Sequence, residues 1–393
     1  MGYTFERTFS LKGAHPMTWK EATSMSQRTE LAALARSQAL SVSELARRFG
    51  VSRKTAYKWM DRQASGERPD DRSRRPQRSP LKTALPIEEA VVALRHQHPC
   101  WGGRKLAKVL SKRGHAVVPA PSTITDILRR HGLLTPPAQR AQHLWQRFEH
   151  PSPNDLWQMD FKGPIHVGQG RCDPLTVLDD HSRYNLVLRA TTDQRGSTVK
   201  TALIDTFRRF GLPLRMNMDN GNPWGIPSGR SQDLSTFAIW LIRVGIGLSW
   251  SAPAHPQTNG KDERFHRSFH AEVVRGRSFA DLRQAQQSFD QWRAIYNNVR
   301  PHEALGLAVP ADRYRPSPRP FPETLPTIEY APQDLLLKVD QRGRITLFRR
   351  PFTVSTALGG YVIAARPRDA DDGVYDLYFS HQPIGEVDLN EAS

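Results

Sequence analysis

The stretch that decides the fold is His-Pro-Gln-Thr-Asn-Gly-Lys-Asp-Glu-Arg-Phe-His-Arg-Ser-Phe, residues 255–269. It opens with turn-forming residues and continues as a helical run, for which Thr258 or Asn259 is a candidate N-cap. Glu263 comes close to the start of that helix. A carboxylate at this place is fixed on a rigid element and faces whatever lies beyond the helix N-terminus.

Two upstream aspartates lie in segments with strand character, and both can meet Glu263. Asp160 occurs in Trp-Gln-Met-Asp-Phe-Lys-Gly, residues 157–163. Asp219 occurs in Met-Asn-Met-Asp-Asn-Gly, residues 216–221. We interpret Asp160, Asp219 and Glu263 as one metal site.

A site of three carboxylates suits phosphodiester chemistry. Two Mg²⁺ or Mn²⁺ ions about 3.5–4 Å apart can activate the attacking oxygen and stabilise the leaving one. Magnesium prefers oxygen ligands and keeps several waters, so a few carboxylates suffice. Asp160 is expected to bridge both ions, with Asp219 and Glu263 each holding one. Spacing alone leaves three neighbouring aspartates open as competing ligands: Asp179, Asp180 and Asp262.

The charge of the chain is unevenly distributed. The net charge of its 393 residues is +17. Residues 1–150 hold 27 Lys and Arg against 12 Asp and Glu, a net of +15, whereas the rest hold 29 against 27. Such a basic N-terminal third indicates a polyanionic partner, most simply nucleic acid.

Two other features of the composition concern the compartment. Only Cys100 and Cys172 are present, far apart, which favours a reducing compartment over a disulfide framework or a cysteine zinc site. No apolar run is long enough for a membrane span, and the N-terminus lacks a signal pattern. We expect a cytoplasmic protein with no membrane partner.

Residues 40–60 have the spacing of a helix-turn-helix. Ser41 or Ser43 is expected to cap the first helix, Gly50 to allow the turn, and Ser52 to cap the second helix. The second helix displays basic and hydroxyl side chains expected to contact DNA: Arg53, Lys54, Thr55 and Lys58.

A Pro- and Arg-rich tether and a second helical module follow. In the tether, Arg74 and Arg75 are candidates for tracking phosphates, and a plain solvated linker is the alternative. In the second module a helix capped by Ser122 is expected to end at Gly132. This module is predicted to be another helix-turn-helix with its own candidate DNA contacts: Ser122, Thr123, Thr125 and Arg129.

The remaining chain alternates strands and helices and ends in short strands. This pattern predicts a mixed five-stranded sheet covered by helices, followed by a small β-barrel of about five strands. The predicted organisation is therefore multidomain: helix-turn-helix domain 1–64, basic linker 65–84, second helix-turn-helix domain 85–135, connector 136–152, catalytic core 153–312, linker 313–333 and β-barrel 334–393.

Four ordered blocks carry a resemblance to a known family: residues 157–163, Leu-Asp-Asp-His-Ser-Arg-Tyr at 178–184, Asp-Asn-Gly at 219–221, and 255–265. They resemble the signature blocks of DDE transposases, in the bacterial insertion-sequence branch of the retroviral-integrase superfamily. With the flanking modules, the resemblance covers roughly residues 27–390. It implies an RNase H-like core and the triad Asp160, Asp219 and Glu263. It also gives Asp179 a supporting role.

The same resemblance implies an activity, partners and a bacterial, nucleoid-associated location. It implies binding to the terminal inverted repeats of an element, 3′-end cleavage with two Mg²⁺ or Mn²⁺ ions per active site, and strand transfer into target DNA. Two element ends require two active sites, so a dimer or higher homo-oligomer is expected on double-stranded DNA. The rival interpretations are a non-catalytic helix-turn-helix regulator with a relict core, and a nuclease without strand transfer.

Two departures from the family pattern stand out. Asp219 and Glu263 are 44 positions apart, longer than in retroviral integrases, and the loop at 221–233 can absorb the excess. A His/Cys zinc module is missing from the N-terminus, where the helix-turn-helix pair takes its place.

Near the site, Trp224 either stacks on a base or packs on the core. Three cations of the Glu263 helix either hold scissile phosphates or are surface charge: Lys261, Arg264 and Arg267.

Overall fold

In the computed structural model the described residues are 23–73, 82–134, 149–168, 170–219, 221, 223–225, 234–250 and 260–390. They belong to two compact units, residues 1–82 and 83–393. Arg74 and Arg75, together with His255 and the rest of segment 251–259, lie outside the described residues. None of the described helices is long and apolar enough to cross a membrane.

The described residues of the first unit form three helices: α1 (Ser24–Arg36), α2 (Val42–Arg48) and α3 (Arg53–Ala64). Of the two candidate caps for α2, Ser41 is the one used, in a capping box with Glu44. Ser52 caps α3 as predicted, since its Oγ accepts from the Thr55 amide at 3.1 Å. Gly50 has φ +62° in the turn, a conformation that glycine adopts at little cost.

The second helical module belongs to the larger unit and consists of α4 (Leu85–Gln97), α5 (Gly103–Lys112) and α6 (Pro121–Arg130). The predicted cap Ser122 is wrong. Helix α6 begins at Pro121 after Ala120, with no side-chain cap, because proline at the first position is preset for the helix and has no N–H to satisfy.

This module packs directly on the rest of the larger unit. The Cys100 thiol donates to the Ala271 carbonyl at 3.5 Å, and the Lys112 ammonium lies 3.4 Å from the Asp312 carboxylate. Ile295 packs against the hydrophobic cluster formed by α4, α5 and α6. The second module is therefore fixed on the core.

Six strands form the central sheet: β1 (Leu156–Phe161), β2 (Ile165–Val167), β3 (Gly170–Asp179), β4 (Asn185–Thr191), β5 (Arg215–Met218) and β6 (Gly247–Trp250). Their order is β2–β3–β1–β5–β6, with β4 also paired to β3. Strand β1 is antiparallel to β3 and parallel to β5, and β5 is parallel to β6. The predicted mixed sheet is confirmed, and β2 adds one short strand.

Helices cover both faces of this sheet. On one face, β1 contributes Trp157 and Met159 to a cluster with α7 (Gly196–Phe210) and α8 (Thr236–Arg243). On the other face lie α9 (Gly260–Phe269), a π-helical turn (His270–Val274) and α10 (Leu282–Asn298). Aromatic side chains hold the second layer together, with Phe265 and Phe269 of α9 packed against Trp292 of α10.

The predicted small β-barrel is not confirmed. The tail has six strands: β7 (Leu335–Lys338), β8 (Arg344–Leu347), β9 (Arg350–Thr353), β10 (Val362–Pro367), β11 (Val374–Phe379) and β12 (Gln382–Asp388). Among the described residues they form a four-stranded sheet, β12–β11–β10–β7, and a separate β8–β9 ribbon, without closing into a barrel.

The tail sheet shares its hydrophobic cluster with the central sheet, so its apolar face is covered without barrel closure. The preceding segment also packs on the core, through Phe321, Leu325 and Ile328. A short helix, α11 (Pro310–Arg313), starts that segment. The Gln382 side chain accepts from the Leu248 amide at 2.7 Å and donates to the Leu248 carbonyl at 3.2 Å, tying the tail to strand β6.

Gly103 lies where α5 approaches α6 closely, so a substitution there tests the packing of the two helices. A Cβ at this position would lie 2.4 Å from the Pro121 carbonyl oxygen and 2.9 Å from Thr125 Oγ1. We expect Gly103→Ala to lower the free energy of unfolding by about 1–3 kcal/mol, because the two helices must separate. Urea unfolding followed by circular dichroism measures the change.

The matched control is Gly102→Ser. A Cβ at Gly102 meets nothing within 4 Å, and serine is a favourable N-cap for α5 at that position. Equal destabilisation by both variants would contradict the close approach of α5 and α6 at Gly103.

Candidate active site

Parallel pairing of β1 and β5 brings two of the predicted ligands together. Met159 of β1 is registered with Met218 of β5, so Asp160 and Asp219 are the next residues of neighbouring strands. Burial raises the pKa of Asp160 to about 6, and the negative charge of Asp219 adds to the rise. The Phe161 amide opposes it by donating to Asp160 Oδ1 at 2.7 Å.

The inward face of α9 presents Asp262 and His266, one helical turn apart, to strand β1. His266 Nε2 lies 2.9 Å from Thr176 Oγ1, and its Nδ1 lies 3.9 Å from Asp160 Oδ2. Burial, with a contribution from the Lys162 charge, lowers the pKa of His266 to about 4, which keeps the imidazole neutral at pH 7. Sequence reasoning missed His266; its signal is the four-residue spacing from Asp262.

Glu263 and Asp262 have opposite environments. Glu263 is exposed, whereas Asp262 is 2% exposed and its Oδ1 has no hydrogen-bond partner among the described residues. Burial raises the pKa of Asp262 well above its usual range, and the charges of Asp160 and Asp180 raise it further. Asp262 is therefore enclosed within the protein, whereas Glu263 is open to solvent.

The donor chemistry at this point fits a hard divalent cation. Asp160 and Asp219 are carboxylates whose mutual repulsion a cation would relieve, and Mg²⁺ prefers oxygen ligands. Within the described parts of the chain, however, no three His, Cys, Asp or Glu side chains are grouped so that they could hold a metal ion. The structure pairs Asp160 with Asp219 and leaves Glu263 on the adjacent helix.

Asp179, one of the competing aspartates, is engaged in the turn between β3 and β4. It is buried and accepts from the Asn154 amide at 2.7 Å and from the amide and hydroxyl of Ser182. These three donors occupy its oxygens, so Asp179 organises the turn.

Asp180, the next residue, is also buried. It accepts from the His150 amide at 2.9 Å, from Gln158 Nε2 at 3.1 Å and from the Lys261 ammonium. Its carboxylate therefore links the segment entering the core, strand β1 and helix α9.

The remaining side chains proposed around the site have different surroundings. Lys261 points to Asp180, while Arg264 and Arg267 are exposed on α9. Trp224 is buried and stacks on Phe161 at 5.5 Å, so it packs on the core.

The helix-turn-helix residues of the first unit present a basic surface. Arg53, Lys54 and Lys58 are exposed and line a surface concavity of about 910 Å³ together with Tyr57. Thr55 is half-buried, and its hydroxyl lies 2.9 Å from Ser52 Oγ, so part of its hydrogen-bonding capacity is used in the cap.

In the second module, Ser122 and Thr123 are exposed on α6. The Thr125 hydroxyl donates to the Pro121 carbonyl at 2.8 Å, and Arg129 pairs with Asp126. On this helix, the hydroxyls of Ser122 and Thr123 are therefore more accessible to a ligand than the hydroxyl of Thr125.

Family models match most regions of the chain. Integrase core domains match residues 150–256 and 244–310, and homeodomain-like domains match 24–70 and 55–128. The C-terminal domain of IS481 family transposases matches 334–393.

The curated relatives include proteins of insertion elements. The chain is 32% identical over 160 residues to a 39.2 kDa protein of insertion element IS476 from Xanthomonas euvesicatoria, covering 40% of this chain and 44% of the relative. It is 26% identical over 227 residues to a 31.7 kDa protein of insertion element IS407 from Burkholderia multivorans, covering 56% and 78%. The chain thus spans less than half of the first relative's length.

Among solved structures, the HTLV-2 integrase catalytic core domain in complex with magnesium is 15% identical, with a TM-score of 0.28. The alignment covers 38% of this chain and 90% of that one. At that TM-score the likeness carries no argument about this chain.

The fold and the matched domains define a class: an integrase core domain preceded by helix-turn-helix DNA-binding domains. The resemblance to the DDE transposases of insertion sequences is confirmed by the matches to an integrase core domain, to the C-terminal domain of IS481 family transposases and to proteins of insertion elements.

The contacts of Asp179 predict a structural role. We expect Asp179→Ala to lower the free energy of unfolding by about 3 kcal/mol, because buried donors of Asn154 and Ser182 lose their acceptor. Thermal or urea unfolding measures this change.

Asp205→Ala is the control, since its carboxylate is in an exposed ion pair with Arg189 and such pairs contribute about 0–1 kcal/mol. Unchanged stability of the Asp179 variant would rule out the structural role.

Proposed function

We propose that the chain is a catalytic DNA transposase. It binds the terminal inverted repeats of an insertion sequence, cleaves their 3′ ends and joins them to target DNA. The observation that supports this proposal best is that Asp160 of strand β1 and Asp219, directly after the parallel strand β5, lie side by side. Both aspartates lie within the region that matches an integrase core domain. Closely spaced carboxylates there suit the binding of divalent cations at a scissile phosphate.

In this proposal the metal ligands are Asp160, Asp219 and Glu263. Two Mg²⁺ or Mn²⁺ ions held there would supply activation of the attacking oxygen and stabilisation of the leaving oxygen. Asp160, on the central strand of an RNase H-like core, would hold the ions together with Asp219, and Glu263 in the first turn of α9 would complete the set. Glu263 is exposed, which leaves its carboxylate accessible to a cation and to DNA.

The N-terminal domains supply DNA binding in this proposal. Arg53, Lys54, Thr55 and Lys58 of α3 contact one part of the repeat, and Ser122, Thr123, Thr125 and Arg129 of α6 contact another. Arg74 and Arg75 of the tether contact phosphates between those two parts of the repeat. Because an element has two ends, the active assembly is at least a dimer on DNA.

The test of the proposed ligands is a cleavage and joining assay with labelled element-end DNA, supercoiled plasmid and Mg²⁺ or Mn²⁺. We expect Asp160→Asn, Asp219→Asn and Glu263→Gln to reduce both reactions by at least about 10³-fold while end binding remains, since each removes a ligand. Single-turnover rates and band-shift affinities give the two quantities separately.

Asp262→Asn is the matched control for Glu263→Gln, because both variants replace a carboxyl group with a carboxamide. It should retain much more activity than Glu263→Gln. The reverse ranking would transfer the ligand role to Asp262. If wild type binds ends but neither cuts nor joins with either metal, a non-catalytic regulator replaces the transposase; cutting without joining indicates a nuclease.

Binding by α3 is tested through its salt dependence. We expect Lys54→Ala and Lys58→Ala each to weaken binding of element-end DNA and to reduce the slope of log K against log salt by about 1, as for a lost phosphate contact. Fluorescence anisotropy across a salt series measures both values.

Lys338→Ala in the tail is the control, because it removes an exposed lysine outside the DNA-binding domains. Unaltered slopes for the two α3 variants would exclude these lysines as phosphate contacts.

A further inference from the structure

Asp180 joins two of the elements that carry proposed ligands, strand β1 and helix α9. It directly follows β3, and its side chain is only 1% exposed. Gln158, which donates to Asp180, lies two residues before Asp160 on β1. Lys261, which forms the ion pair with Asp180, lies two residues before Glu263 on α9.

The Lys261 side chain is itself largely buried, at 16% exposed. Its positive charge is therefore held inside the protein, where the Asp180 carboxylate offsets the free-energy cost of burying an ammonium group. A cation in this position is poorly placed to hold a DNA phosphate.

The other anchors of α9 lie further along the helix. Phe265 contacts Tyr296 at 4.9 Å, and Phe269 contacts Phe289 at 4.8 Å between ring centroids. These contacts fix the middle and end of α9. Lys261 is the charged anchor of its first turn, the turn that carries Glu263.

We propose that the ion pair of Lys261 with Asp180 is a buried clamp that positions Glu263 relative to Asp160, and that Lys261 is a positioning residue rather than a DNA contact. This inference rests on the proposed function for the role of Glu263. The clamp itself is a property of the fold that can be measured without catalysis.

The first arm of the experiment measures cleavage by full-length Lys261→Met and Asp180→Asn. Asp180→Asn retains an oxygen that can accept from His150 or Gln158 while it removes the charge. We expect each variant to lower the single-turnover cleavage rate by about 10²-fold, because a displacement of a catalytic group by about 1 Å has an effect of that size. The affinity for element-end DNA and its salt slope should stay within about twofold of wild type.

Three comparisons separate positioning from general damage. Lys261→Arg should recover part of the cleavage rate by restoring the charge. The double variant Lys261→Met/Asp180→Asn should lose no more than either single variant, because both remove the same interaction. Arg208→Ala, which breaks an exposed ion pair with Glu323, should leave cleavage unchanged.

The second arm is hydrogen exchange of the protein without DNA, followed by mass spectrometry. In Lys261→Met, peptides covering 260–266 should exchange about tenfold faster or more, whereas peptides of α10 should not change. Because exchange does not require cleavage, this arm tests the clamp even if the wild type proves inactive, an outcome that would count against the proposed function alone.

Two results would overturn the inference. Unchanged exchange across 260–266 in Lys261→Met would show that the ion pair does not hold the first turn of α9. Weaker DNA binding with a smaller salt slope, at an unchanged cleavage rate at saturating DNA, would show that Lys261 contacts a phosphate instead.

Discussion

The parallel pairing of β1 with β5 is the constraint on which the rest of the structure depends. Its register makes Asp160 and Asp219 neighbours at the ends of adjoining strands. The pairing lies in the middle of the sheet, where hydrophobic clusters cover both faces and strand slippage would expose one of them. The acidic pair is therefore held by strands whose hydrophobic side chains are buried on both faces of the sheet.

Placing carboxylates at such a point has an electrostatic cost, visible in the raised pKa of Asp160 and Asp262. The surrounding groups limit that cost in different ways. Asp180 is paired with Lys261, and Asp179 is satisfied by donors of its own turn. The result is an acidic centre in which each carboxyl group has a distinct environment.

Local signals in the sequence predicted much of the fold. Ser52 and Gly50 were identifiable because capping and left-handed turns depend on a few adjacent residues. The same reasoning placed the cap of α6 wrongly at Ser122, since Pro121 can start a helix without one. The tail was predicted to close as a barrel, but its apolar face is covered by the core, a long-range contact that strand patterning does not contain.

The sequence by itself determined the kinds of residue available at the site: one aspartate within a strand, another directly after a strand, and three polar residues, 261–263, at the start of a helix. Only the tertiary structure decided their orientations. Packing of Phe265 and Phe269 against α10 fixes the rotation of α9 about its axis. Because successive helical residues point about 100° apart, that rotation buries Asp262, directs Lys261 to Asp180 and leaves Glu263 exposed.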